Sequence, residues 1–448
     1  MGPPFSSPVV VSADPDLVDV QGLFEANRAA LEREIGTSFS FGVREPNIPS
    51  TWTLRLGASA PRLVFDREAQ TLICEAPDRS SFFDTLSLLW DLHGHPGGTI
   101  PVQDCATVTE AVDRIEEAIR RSWPSFDLHN IDWTALTEQY RSKILTAEDP
   151  VPELKSWLAC LGDCHTTIRP VEQPGRLPYR AVAQNDQVVL TEVPEGSTGH
   201  LAGARVGHAL RGIDVARLRR ESGGRPHSLP HLIGLTALRG PVGQEVQLET
   251  ESGARWTESY QRNPWPQIVE GRRLRDDVGY LRLRAWSTEY EQHLNEAMEA
   301  LADCPSLLFD LRGNGGGNFL MACRFRGRFL QKDRQVGWIR YRLPGGGMSV
   351  REPIHAQAAE PALRWEKPLT IWTDPKTYSA SEDFLMGLSE EPQIRILGEP
   401  SGGGSGRLRV LRLMEGWRLT ITTSHTFTND GHCIEGAGHP VEGPIPTQ

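Results

Sequence analysis

From residue 278 the chain alternates between two hydrophobic periods, and this constrains its fold more than any other feature. VGYLRLRAW and SLLFDL are short apolar runs of the buried-strand type. Between them TEYEQHLNEAMEALADC carries Leu294, Ala297, Met298 and Leu301 on one face at helical spacing. PLTIWTD, SASEDFLMGLSEE and IRILGE repeat the strand, helix, strand order. Such alternation builds a βαβ core with a mostly parallel sheet, so the expected class is α/β. A further run, LRVLRLMEGWRLTITTSHTF, alternates around Glu415 and Gly416 as a hairpin.

Upstream the pattern changes twice. Residues 105–168 read as helices, the first placing Val108, Ala111, Ile115, Ala118 and Ile119 on one face. Residues 177–262 read as a small β-rich module, with VVLTEV, HALRGIDV and EVQLET as strands and SLPHLIGLTAL as an embedded helix. Near the start, TWTLRLG, RLVFD and TLICEA look like strands. LVDVQGLFEANRAALEREIG and FFDTLSLLWDLHG look helical, and the Gly/Pro-rich HGHPGGTIP marks a boundary near residue 100. The expected division is an N-terminal α+β region over 1–100, a helical subdomain over 101–176, the β-rich module over 177–262 and a core domain over 263–448.

Composition excludes several partners. The formal charge of −11 argues against nucleic acid or an anionic membrane surface, since both require a basic footprint. No apolar run approaches the roughly 20 residues of a spanning helix. The first residues lack the basic and apolar regions of a secretory signal. Seven cysteines, an odd number, do not form a disulfide framework, so a reducing cytoplasm is the expected location.

Four segments hold residues suited to chemistry. In DPKTYSASE a serine, Ser379, falls where a buried strand turns into a helix. There the backbone N–H of Ala380 is placed to stabilise an oxyanion. The same Ser379-to-Glu382 spacing is a capping box that needs no catalysis. In DLRGNGGG the glycines after a strand permit close backbone approach to a ligand, to supply a second oxyanion N–H or to bind phosphate, although the Lys-Ser/Thr pair of a P-loop is missing. An ordinary glycine turn is the alternative. In LGDCHTT, His165 is a candidate general base with an ordinary pKa of about 6.5, or simply a structural histidine. No ligand set completes a metal site around it, and no cofactor motif is present. In CIEGAGHPV, Glu435 is placed to orient a histidine, or is an ordinary loop acid.

In this order the segments resemble the C-terminal processing peptidase and tricorn core family of serine peptidases. SLLFDLRGNGGG is similar to the family's glycine-rich strand end, TYSASEDFLMGL to its nucleophile segment and LGEPSGGGSG to the strand and loop that follow. LGDCHTTI and IEGAGHPV resemble the histidine and glutamate motifs of the tricorn-like branch. VVLTEVPEGSTGHLAGARVGHALRGIDV resembles a PDZ domain, although RLPYRAVAQ departs from one. The resemblance covers about 105–448. It implies a crotonase/ClpP-like ββα core with an inserted PDZ-like module and an N-terminal helical subdomain. It also implies a serine peptidase acting on peptide or protein substrates, without a cofactor.

One departure bears on mechanism. Gly404 stands where the processing-peptidase branch has its lysine base, so the resemblance implies Ser379 as nucleophile, His165 as base and acid, and Glu435 as orienting group, with the oxyanion between the N–H of Ala380 and that of Gly315 or Gly316. Glu382 then serves as a helix cap, and Asp163 holds its loop. An esterase, amidase or acyl transferase using the same triad on a small metabolite, or a non-catalytic binding protein, remains open at this point.

Overall fold

The computed structural model describes residues 9–13, 39–41, 50–56, 62–66, 71–76, 98–265, 267–274, 277–343 and 346–446. The two helical stretches expected at 17–36 and 82–94 lie outside these. The chain divides into two compact units. One comprises Met1–Pro124, Tyr341–Met348 and Arg407–Thr423; the other comprises Ser125–Arg340, Ser349–Gly406 and Ser424–Gln448.

In the first unit the strands Ser50–Leu56, Arg62–Asp66 and Thr71–Ala76 form where alternation predicts them. Gly98–Pro101 is a strand pairing antiparallel with Arg62–Asp66 at the end of a six-stranded sheet, and an edge tolerates its proline. The helix Val108–Ser122 is capped by Thr107, whose side chain accepts the Glu110 N–H, and it buries Ala111, Ile115, Ala118 and Ile119 of the expected face, with Val108 half-buried. Arg114 of this helix donates to the Arg412 carbonyl, 2.9 Å away, on the hairpin Leu408–Arg412 and Trp417–Thr422. A helix from the start of the chain therefore groups with a hairpin near its end.

Among the described residues the second unit holds a smaller and a larger apolar core. The smaller gathers Leu177, Val188, Leu190, Ile233 and Trp256 from the β-rich module. Its edge strand, Arg180–Gln184, pairs with Gln187–Glu192. The helix Leu229–Ala237 packs so closely on this strand that a Cβ on Gly234 would lie 2.1 Å from the Ala181 carbonyl oxygen. The strand expected over HALRGIDV shrinks to Ala209–Leu210. The Asp214 side chain caps a helix, Val215–Glu221, by accepting the Arg217 N–H at 2.9 Å.

The larger core underlies a five-stranded sheet. Its order is Val269–Arg273, Gly279–Leu283, Leu307–Asp310, Leu369–Thr373 and Ile394–Gly398, antiparallel at the first pair and parallel after it. The helix Glu291–Ala300 carries the first parallel crossover and buries Leu294 and Met298. Beneath the sheet, Trp286, Phe309, Phe325, Phe329 and Phe384 pack edge-on and tilted, with the Trp286 and Phe384 centroids 5.2 Å apart. Truncating one such ring to alanine typically costs about 3–5 kcal/mol. The loops after the last three parallel strands carry the glycine runs and Ser379, at the sheet edge where open α/β folds bind ligands.

Candidate active site

The site begins where the strand Leu369–Thr373 ends. The Asp374 carboxylate accepts the N–H groups of Lys376 and Thr377, each at 3.0 Å, and that of Gly313 at 2.8 Å. One carboxylate thus fastens the turn before the serine to the glycine loop. Two more bonds repeat the clamp: Thr377 Oγ1 donates to the Leu311 carbonyl at 3.0 Å, and the Tyr378 N–H to the Asn314 carbonyl at 3.0 Å.

Held in this way, Ser379 adopts φ 59° and ψ −121°, a left-handed conformation that side chains seldom occupy. It sits at the start of the six-residue helix Ala380–Leu385, all of which is buried, and Gly387 at φ 76° turns the chain just beyond it. The helix is shorter than the run SASEDFLMGLSEE suggests. Trp286 Nε1 donates to Ser381 Oγ at 3.0 Å and pins the helix to the aromatic core.

The two candidate glycines differ. The Gly316 N–H donates to Asn314 Oδ1 at 3.0 Å, so it is already engaged. A Cβ at that position would lie 2.7 Å from the Ser379 Cβ. Gly315 is exposed, and a Cβ there would meet nothing within 4 Å. Gly316 therefore gives the serine room, and Gly315 keeps a backbone face open beside it.

The loop on the other side is built around Glu382. This fully buried carboxylate accepts the Ser379 N–H at 2.9 Å, Ser401 Oγ–H at 2.6 Å, the Gly403 N–H at 2.7 Å and the Gly404 N–H at 2.9 Å. Burial pushes its pKa up to about 7, and these bonds oppose the rise. Its role thus extends beyond the helix cap expected from sequence. The phenol of Tyr378 fills the space above Gly404, where a Cβ would lie 1.8 Å from its hydroxyl oxygen. Lys376 points away, its Nζ donating to the Ala181 carbonyl at 2.7 Å.

His165 is buried and packs edge-on against the Tyr378 ring, with centroids 4.6 Å apart, so it lies beside the residue preceding Ser379. Its neighbour Cys164 donates to the Tyr378 hydroxyl at 2.7 Å. Asp163 accepts the N–H of His165 at 2.8 Å and the hydroxyl of Thr166 at 2.6 Å, which holds this loop as expected. Burial, reinforced by the Arg169 charge, pulls the His165 pKa down to about 4 against the pull of Asp163. Glu435 is buried in the same neighbourhood. Desolvation and the charges of Asp163 and Glu382 hold its pKa far above the usual carboxylate range, and its Oε2 has no hydrogen-bond partner among the described residues. The Gly436 N–H donates to the Gly403 carbonyl at 2.9 Å, which ties the Glu435 loop to the loop held by Glu382.

Tyr378 is the residue that sequence reasoning missed. It touches the histidine segment, precedes the serine and occupies the space over Gly404. The glycine at 404 was the available signal, since a missing side chain implies a neighbour that needs the room. No cluster able to hold a metal occurs among the described residues.

A mixed α/β core places a strained serine at the carboxyl edge of its sheet, and comparison with known proteins bears on what such a core is similar to. Residues 277–441 match Peptidase family S41. The chain is similar to the chloroplastic carboxyl-terminal-processing peptidase 2 of Arabidopsis thaliana, with 25% identity over 271 residues, 58% of this chain and 50% of that protein. It is also similar to the carboxy-terminal processing protease CtpA of Bacillus subtilis strain 168, with 24% identity over 206 residues, 45% of this chain and 42% of that protein. The chain thus spans about half the length of these curated relatives. Two solved structures share the fold. Mature CPAF matches with a TM-score of 0.55 at 13% identity, covering 76% of this chain and 93% of that one. The photosystem II D1 C-terminal processing protease matches with 0.52 at 17%, covering 76% and 94%. Residues 277–441 thus match the S41 family, and the chain resembles the C-terminal processing peptidases, as its motifs suggest.

Proposed function

We propose that the protein hydrolyses peptide bonds through an acyl-enzyme, using Ser379 as nucleophile, His165 as general base and acid, and Glu435 to orient the imidazole. The observation that carries this reading is Ser379 itself. It is a non-glycine residue at φ 59°, clamped from both sides at the carboxyl edge of a parallel sheet. Strain of this kind persists only where the surroundings enforce it.

His165 removes the proton from Ser379 Oγ as the oxygen adds to the substrate carbonyl. The tetrahedral oxyanion forms between the N–H of Ala380 and that of Gly315, since the Gly316 N–H is engaged. As the C–N bond breaks, His165 returns the proton to the leaving amine, and water then attacks the acyl-enzyme by the same route. The depressed pKa of His165 keeps the base neutral at physiological pH. Glu435 is assigned only to orient the imidazole, since burial holds its pKa far above the usual carboxylate range. Residues 177–262 act as a PDZ-like module beside a crotonase/ClpP-like core over 263–448, with the helical region of 101–176 supplying His165. A reducing compartment suits the odd cysteine count. At Ala181 the PDZ-like edge is closed to strand addition, because its carbonyl is taken by Lys376 and Gly234 packs against it.

The test is labelling with a fluorophosphonate probe together with casein hydrolysis. Native protein labels and cleaves, and Ser379→Ala does neither. Equal labelling of the two proteins would sink the assignment.

A further inference from the structure

Tyr378 stands directly before Ser379 and touches each of the three segments that converge there. Its backbone joins the first glycine loop. The N–H donates to the Asn314 carbonyl at 3.0 Å, and its own carbonyl accepts the Ser381 N–H at 3.2 Å. A Cβ on Gly316 would lie 2.7 Å from that carbonyl oxygen, so the loop comes this near only because it is glycine. The peptide leading into the strained serine is thereby held at both ends.

Its side chain joins the other two segments. The ring rests on the second glycine loop, where a Cβ on Gly402 would come 2.4 Å from Cδ2 and one on Gly404 2.7 Å from Cε2. The histidine segment meets the same ring, with the His165 imidazole inclined at 64° to it and the centroids 4.6 Å apart. The hydroxyl accepts from Cys164 Sγ at 2.7 Å. Packed against backbone and imidazole together, the ring has little freedom to move.

The charges facing the imidazole differ in sign. Asp163 raises its pKa and Arg169 lowers it, while burial outweighs both. Around the phenol stand Cys164, Asp163, Glu435 and Glu382, and desolvation together with these groups holds the phenol far above its ordinary pKa. Burial likewise pushes the Cys164 thiol up. Both groups therefore keep their protons at neutral pH, and neither competes with His165 as a base. What Tyr378 contributes is contact: an aromatic ring against an imidazole restricts its tilt and keeps water from it.

We propose that Tyr378 is a positioning residue for the reaction: its ring, seated on Gly402 and Gly404, fixes the His165 imidazole and shields it from water, so that the residue adjacent to the nucleophile also sets the base. The inference rests on the reading of Ser379 as nucleophile and His165 as base, but the state of the imidazole is measurable without turnover. It gives the ring and the hydroxyl different weights. The ring sets the base, and the hydroxyl only completes the packing with Cys164. Misplacement by about 1 Å costs roughly 10²-fold in rate.

The experiment is an NMR titration of full-length protein carrying isotope-labelled histidine, the His165 signal being identified by its loss in His165→Gln. In native protein and in Tyr378→Phe, which keeps the ring, that signal is expected to titrate at the depressed value of about 4. Tyr378→Leu is expected to move it to about 6.5, the ordinary imidazole value. In the same variant kcat falls by about 10²-fold with KM within about twofold of native, whereas Tyr378→Phe retains most of kcat. Gly402→Ala, whose methyl presses on the ring at Cδ2, shifts the signal upward by a smaller step, and it decides alone if Tyr378→Leu does not fold. An unmoved midpoint in the deciding variant would overturn the proposal. So would an equal shift in Tyr378→Phe and Tyr378→Leu, or a raised KM with kcat intact. Failure of the peptidase reading shows separately, as absent labelling and cleavage by the native protein.

Discussion

Two glycine-rich loops flank Ser379, and they use glycine for opposite purposes. In the loop of Gly313–Gly317 the missing side chain of Gly316 leaves Ser379 room, and Gly315 keeps an open backbone face. In the loop of Gly402–Gly404 the missing side chains of Gly402 and Gly404 make room for Tyr378, and the backbone N–H groups of Gly403 and Gly404 are consumed by Glu382. The first loop is kept available to a ligand, and the second is spent on architecture. Similar sequences thus carry different physics, and only the neighbours tell them apart.

The sharpest way to break this comparison is Gly404→Lys. If the second loop were merely permissive, a lysine there would supply a new base. Because a Cβ would lie 1.8 Å from the Tyr378 hydroxyl, the expected result is loss of at least about 10³-fold in kcat/KM with a lowered Tm, and no rescue of His165→Ala. Any gain of turnover in that double variant would count against the packing argument.

A smaller effect separates backbone from side chain at Gly315. Gly315→Pro removes the N–H and is expected to lower kcat by about 10²–10³-fold, the usual cost of one oxyanion donor. Gly315→Ala meets open space and should remain within about threefold of wild type in steady-state assays. Equal losses in the two variants would move the donor elsewhere.

The mildest probe is pH. Burial pulls the pKa values of His165, His231, His425 and His439 down to about 4. The unfolded chain therefore binds more protons than the folded one between about 6.5 and 4, and stability falls as pH drops through that window. Glu382, raised to about 7, acts in the other direction, its contribution fading as pH rises from about 4.5 through 7. Denaturant midpoints measured from pH 8 to 4 should decline mainly below 6.5, and the acid limb of kcat/KM should fall below the ordinary imidazole value. A limb centred at 6.5 would mean that His165 is solvated.

Much of the core was legible in the sequence, because strands buried on both faces and an amphipathic helix leave local signatures. Leu294 and Met298 lie where their spacing puts them. What escaped reading was set by long-range contact or local capping. The helix Val108–Ser122 groups with a hairpin some 300 residues away, which no periodicity reveals. Asp214 outweighs the strand propensity of HALRGIDV by capping a helix. At the site, the segments holding Ser379, His165 and Glu435 carried recognisable motifs. The part of Tyr378 did not, because its meaning depends on a glycine 26 positions later.

The left-handed backbone at Ser379 carries a further consequence, in the currency of evolution rather than chemistry. Glycine occupies φ 59° without strain, so Ser379→Gly should unfold at a higher temperature than the native enzyme, by roughly 1–2 kcal/mol in stability, while being inert. Calorimetry can check this directly. If it holds, selection has kept this chain below its attainable stability at the one residue where function demands it.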